Sequence, residues 1–70
     1  MHVSIYFVGG DQLSLFTCYT SEEELQQLLD WFKDKNGSEV KTIKYNMNNG
    51  IVGEYMLNRK SIAYIKTEED

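Results

Sequence analysis

A small α+β domain, with a mostly antiparallel five-stranded sheet in the order β-β-α-β-β-β and one amphipathic helix packed on one face, is what this 70-residue sequence predicts. Three observations carry that expectation. Apolar residues alternate with period two on both sides of residues 20–37, the stretch between repeats them at helical spacing, and turn-forming residues at hairpin length separate the strand segments.

The first strand is His2 to Val8, with Val3, Ile5 and Phe7 on one face and Ser4 and Tyr6 on the other. Gly9-Gly10-Asp11 is a turn signal, and Leu13 to Tyr19 is a second β-forming run, so the two make a hairpin. A three-residue loop pairs Phe7 with Leu13, Ile5 with Leu15 and Val3 with Thr17, which sets two of the three apolar residues opposite apolar ones. A two-residue loop sets them against Gln12 and Ser14.

A helix starts at Thr20-Ser21-Glu22-Glu23-Glu24. Two capping boxes overlap there, Thr20 with Glu23 and Ser21 with Glu24, and three carboxylates sit where the helix dipole favours negative charge. Leu25, Leu28, Leu29 and Phe32 follow the i, i+3, i+4, i+7 rule; Lys33 and Lys35 fall in the last turn, and Asn36-Gly37 supplies a left-handed stop. Trp31 lies about 60° round the helix from Leu28, which puts it at the rim of the core.

From Glu39 the period returns to two, with Lys41, Ile43, Tyr45 and Met47 on one face and Thr42, Lys44 and Asn46 on the other. Asn48-Asn49-Gly50 turns the chain into a fourth strand, Ile51 to Leu57, in which Gly53 marks a bulge or a close backbone approach. Asn58-Arg59-Lys60-Ser61 leads to a fifth, Ile62 to Lys66. One domain therefore spans residues 1–66, followed by a short acidic tail over 67–70.

With 41% hydrophobic and 26% charged residues the chain is globular in composition, but at this length it buries only about 60% of its unfolded surface. The core is thin. A single cysteine, Cys18, closes no internal disulfide, and neither a leader-like segment nor an 18-residue apolar run is present; the expectation is a cytoplasmic protein with no membrane partner.

The net charge of −4 comes from residues 1–35, where Lys33 and Lys35 oppose Asp11, Glu22, Glu23, Glu24, Asp30 and Asp34; the second half is balanced. Overall acidity argues against a dedicated nucleic-acid binder.

Catalytic chemistry finds little support. In the preferred register His2 lies opposite Cys18, but a nucleophilic pair needs a rigid site and an orienting third group. One His and one Cys leave a tetrahedral metal short of ligands, and consecutive glutamates on a helix point apart. Gly9-Gly10 opens no helix and has no following Lys-Ser/Thr, so it is a turn and not a phosphate loop. The expectation is a non-enzyme without metal, cofactor or small-molecule substrate.

Met56-Leu57-Asn58-Arg59-Lys60-Ser61-Ile62-Ala63-Tyr64-Ile65 resembles the second motif of Sm-like proteins, where a strand, a short turn and a final strand ending in an aromatic-isoleucine pair lie together. The N-terminal helix and first motif of that pattern are missing, and a helix follows strand two, so the resemblance carries over no RNA-binding residue. Six lysines to one arginine, five asparagines and no proline suggest an AT-rich coding sequence; a compact acidic domain of this kind is similar to small accessory proteins of phages or mobile elements.

Three functional expectations follow. The first is a protein-binding module, of the kind that inhibits or regulates a host nucleic-acid-acting enzyme, using Glu22, Glu23, Asp30, Trp31 and Asp34; carboxylates spaced along a helix imitate a phosphate row. The second is a nucleic-acid surface of Lys41, Lys44, Tyr45, Arg59 and Lys60, where bases stack and phosphates find charge. The third is a homodimer formed through the sheet face that the helix leaves uncovered.

Overall fold

The computed structural model describes residues 1–47 and 50–69 and has the expected element order. Strands β1 (His2–Phe7) and β2 (Gln12–Phe16) precede helix α1 (Glu22–Lys33), which is followed by β3 (Val40–Asn46), β4 (Val52–Asn58) and β5 (Ile62–Glu68). A 3₁₀ turn over Arg59–Ser61 joins the last two strands. Asn48 and Asn49 of the expected turn, and Asp70 of the expected tail, lie outside the described residues.

The strands do not form one sheet. β2-β1-β5 make an antiparallel three-stranded sheet and β3-β4 a separate antiparallel hairpin. The chain leaves the first sheet where α1 stands between β2 and β3, and returns to it through the β4–β5 turn. At the first of these points a backbone bond from Asn46 N–H to the Tyr19 carbonyl (2.8 Å) ties β3 to the β2–α1 connection.

In the first hairpin Val3 pairs with Leu15, Ile5 with Leu13 and His2 with Phe16, two residues from the expected register. The loop is three residues, but it is Val8-Gly9-Gly10, closed by Phe7 N–H to Asp11 O and Gly10 N–H to Phe7 O, both 2.9 Å. Gly10 supplies the left-handed conformation (φ 99°) that such a turn needs. A two-residue shift preserves parity, so the apolar face is unchanged. It also separates His2 from Cys18, which is exposed in the turn beyond β2.

Ser21 is the N-cap, its hydroxyl accepting from Glu24 N–H (3.2 Å), so the second of the two capping boxes forms. The other end departs from expectation. The helix stops at Lys33, leaving Lys35 beyond it, and Gly37 has no positive φ. No left-handed stop is needed there, because the Arg59 side chain reaches the terminal carbonyls from the β4–β5 turn.

β5 continues through Glu68, two residues into the expected tail: Thr67 pairs with Val3 and Glu68 with His2. One irregularity, between Tyr6 and Phe7, takes up an extra residue at Ala63. The β3–β4 register runs without a bulge from Val40↔Asn58 to Asn46↔Val52.

Eight buried apolar residues form one core: Val3 and Ile5 of β1, Leu15 of β2, Leu25 and Leu28 of α1, Ile43 of β3, Leu57 of β4 and Ile62 of β5. Every strand and the helix contribute. No helix among the described residues is long and apolar enough to cross a membrane.

Candidate interaction surfaces

Of the residues expected on an acidic helix surface, Glu22, Glu23, Asp30 and Asp34 are exposed. Glu23 and Asp30 are seven residues apart, about 20° short of two full turns, so they share one side of α1 roughly 10 Å apart along its axis. The Gln26 amide donates to the Asp30 carboxylate (3.1 Å), and Asp34, just past the helix, accepts from Asn36 N–H (3.0 Å). Asp34 thereby orders the loop that leaves the helix.

Trp31 and Arg59, assigned from sequence to two different surfaces, are brought together. The guanidinium donates to the Trp31 carbonyl (2.7 Å) and the Phe32 carbonyl (3.0 Å), and its Cζ lies 4.6 Å from the centroid of the Trp31 ring. The indole N–H donates to Ser38 O (2.8 Å), and Arg59 N–H bonds Glu39 O (2.8 Å). A cation against the C-terminal carbonyls of a helix complements its dipole; here it gives Phe32 O a donor and shares Trp31 O with the Asp34 N–H (3.2 Å). Gly37 makes room: a Cβ there would stand 2.9 Å from Arg59 Nη2.

The remaining residues of the basic alternative do not gather. Lys41 pairs with Leu57 and is half-buried, whereas Lys44 is exposed on the opposite face of β3, across from Glu54. Lys60 is exposed in the 3₁₀ turn, where its N–H bonds Asn58 Oδ1 (2.9 Å).

Tyr45 lies across β3–β4 from Gly53, against whose backbone its ring packs. A Cβ at position 53 would fall 2.5 Å from the Tyr45 hydroxyl oxygen and 2.6 Å from Cζ. Close approach, and not a bulge, explains this glycine. Gly53→Ala is expected to destabilise the protein by about 1 kcal/mol or more through that collision, and to cost distinctly less in a Tyr45→Ala background. A double-mutant cycle by urea unfolding checks the coupling; equal costs in both backgrounds would show that Tyr45 does not occupy the site.

Sequence reasoning did not assemble the outer face of the β2-β1-β5 sheet. Cross-strand pairing sets His2 beside Phe16 and Tyr6 beside Tyr64, and both pairs are stacked, with ring centroids 4.4 Å apart and planes 17° and 16° from parallel. Between them Ser4 Oγ meets His2 Nε2 at 3.2 Å. Phe16 and Tyr64 remain 43% and 54% exposed. Lys66 Nζ lies 3.3 Å from Glu68 at the end of this face; the hydrogen bond to Glu68, then that carboxylate's charge, holds the ammonium pKa above its usual value. The alternation of residues 2, 4 and 6 with 12, 14 and 16 was readable, but the β5 partner was not.

The two sheets part along a cleft of about 170 Å³ between β2 and the β3–β4 hairpin. A larger, shallower depression adjoins it, sharing Tyr19 and Tyr45 but lined also by Glu24, Lys44 and Glu54. Among the described residues no group of three or more His, Cys, Asp or Glu side chains is placed to hold a metal ion. Comparison with known proteins finds no matching family model, no similar curated protein and no similar solved structure.

Proposed function

We propose that this chain is a non-catalytic protein-binding module of regulatory or inhibitory type, which meets its partner with the outer face of the β2-β1-β5 sheet. The observation that carries this reading is the pair of cross-strand ring stacks on one uncovered face, His2–Phe16 and Tyr6–Tyr64. Tyr and Phe exposed on an uncovered face are among the residue types enriched at protein interfaces. Base stacking fits this face less well. Each ring already has one side covered by its neighbour, and the cation at the edge, Lys66, is accompanied by Glu68.

The acidic side of α1 supports a second reading within the same class. Glu23 and Asp30 are aligned and exposed on a chain of net charge −4, which suits a partner with a basic groove such as a nucleic-acid-acting enzyme.

A partner recovered with the wild-type protein is tested by titration against two folded variants, Phe16→Ser with Tyr64→Ser, and Glu23→Lys with Asp30→Lys. The sheet variant is expected to weaken binding at least about tenfold, the usual effect of losing aromatic anchors. Loss confined to the charge-reversed variant would move the working surface to α1. Tight, salt-sensitive binding to single-stranded nucleic acid that the sheet variant abolishes would replace the protein reading altogether. Light scattering on the same variants shows whether the partner is a second copy: a wild-type dimer that Phe16→Ser with Tyr64→Ser dissociates assigns the sheet face to self-association.

A further inference from the structure

β5 is the longer of the two outer strands of the β2-β1-β5 sheet, and among the described residues no strand pairs with its far side. Which backbone groups point there follows from the ladder. Phe7 N–H bonds Asp11 O and Val8 N–H bonds Ser61 O, both 2.9 Å, so odd-numbered residues of β1 turn their backbone groups to β2 and even-numbered ones to β5. The pairs Tyr6–Tyr64, Ser4–Lys66 and His2–Glu68 therefore exchange the hydrogen bonds, and Ile65 and Thr67 direct N–H and C=O away from the sheet. Thr67 stands on the core side, opposite fully buried Val3, and is still exposed, so neither the helix nor the second hairpin covers this edge.

Strand edges are usually guarded by shortness, proline, an inward-pointing charge, a bulge or a covering element. β2 has only five residues, and its Phe16 carbonyl is taken by Tyr19 N–H and Thr20 N–H. The Asn46 N–H at the end of β3 is taken by Tyr19 O, and β4 borders a depression that Phe7, Asp11 and Leu13 of the first hairpin also line. From Tyr64 to Glu68, β5 has no such guard. It contains no proline and no charge on its core side, and its one bulge lies at Ala63. Its two charged groups, Lys66 and Glu68, lie together on the outer face, 3.3 Å apart.

We propose that β5 pairs antiparallel, edge to edge, with β5 of a second copy of this chain about a two-fold axis at Thr67, so that two three-stranded sheets become one continuous sheet. The strand's own sequence selects this register. Thr67 meets Thr67 of the second copy as a hydrogen-bonded pair, and Ile65 reaches Glu69 of the second copy, clear of the bulge. On the outer face each Lys66 then lies across from Glu68 of the other chain and beside its own, so the charges alternate round the axis. Thr–Thr and opposite-charge pairs are among the favourable cross-strand contacts. An axis at Lys66 would set two ammonium groups against each other, and one at Ile65 would set Lys66 against Tyr64 and carry the pairing into the bulge. Pairing at Thr67 also brings the ring stacks of both copies onto one continuous face. This inference goes beyond that face as a partner surface and does not rest on it.

The test is sedimentation of the full chain from micromolar to millimolar concentration at low ionic strength, for the wild type and for variants shown to be folded by circular dichroism. The wild type is expected to form a reversible dimer, weak because the interface is small. Thr67→Pro removes an N–H that the β1 ladder does not use, and is expected to abolish the dimer. Lys66→Glu and Glu68→Lys each set like charges across the axis, and each is expected to weaken self-association at least about tenfold. Mixed in equal amounts, these two variants are expected to dimerise with each other about as well as the wild type, because every ammonium then faces a carboxylate. A monomer throughout the range would overturn the proposal, as would charge variants that keep the wild-type affinity or a mixture that fails to associate. A dimer that survives Thr67→Pro and is lost with Phe16→Ser would place self-association on the ring face and overturn the edge. Failure of the ring-face reading is separate: it shows in partner binding that Phe16→Ser with Tyr64→Ser leaves unchanged, whereas the edge variants keep both ring stacks.

Discussion

Arg59→Ala is expected to lower the unfolding free energy by about 2–3 kcal/mol, read from urea denaturation at unchanged m-value. Two guanidinium hydrogen bonds end on the last-turn carbonyls of Trp31 and Phe32, at 2.7 and 3.0 Å, and the same group covers the Trp31 ring. Hydrogen bonds to charged groups contribute about 1.5–3 kcal/mol each at most, and a cation at a helix C-terminus and over an aromatic ring adds about 0.3–1 kcal/mol for each effect. These contributions overlap because one side chain supplies them all, which is why the total is set below their sum. Arg59→Lys keeps the charge but loses the planar fork and the stack, and is expected to recover less than half of the loss. Both variants should also change Trp31 fluorescence. A cost of Arg59→Ala below about 0.5 kcal/mol, typical of surface positions, would show that the clamp does not hold the helix end.

Leu28→Ala is expected to cost about 3 kcal/mol, within the range of about 2–5 kcal/mol for buried Leu truncations. Leu28 is fully buried on α1 and belongs to the core cluster shared by both sheets, so the void opens where the two sheets and the helix meet. Domains of this size rarely hold more than about 3–5 kcal/mol in total. The variant should therefore be substantially unfolded at room temperature by circular dichroism. Leu29→Ala, at a half-buried neighbour packed on the edge of the same cluster, is expected to cost clearly less. Equal costs at the two positions would mean that α1 is rotated from the described orientation.

The helix and the strand order were legible because each rests on local chemistry: a capping serine, leucines at helical spacing, and alternation in strands. The helix start was open between Thr20 and Ser21, and nothing local separates those boxes; the choice follows from Thr20 being drawn into the interior. The helix end was misjudged for a related reason. Asn36-Gly37 is a sound local stop, but a guanidinium more than twenty residues away in the chain satisfies the carbonyls first. The hairpin register came within two residues because parity is a strong constraint, while the loop position depends on which glycine turns left-handed. The division of the sheet, the aromatic face and the cleft all arise from how distant strands meet. Tyr64 joins Tyr6 only through the pairing of β5 with β1, which no pattern in either segment announces.

That same pairing sets an order of events for the nascent chain. β1 is the middle strand of its sheet, and one of its two neighbours is the last strand, with Val3 against Thr67. The first hairpin can form as soon as residue 16 is made, but its second ladder waits for some fifty further residues, and closing so long a loop is slow. Until β5 arrives, the open edge of β1 and the rings of Tyr6, Phe7 and Phe16 face solvent together, a condition that favours capture by a chaperone or by another copy. Shortening the chain before Ile62 should therefore yield a collapsed, aggregation-prone species and not a smaller stable domain. Supplying residues 62–69 separately as a peptide should rescue it, as expected when a missing strand completes an otherwise formed sheet.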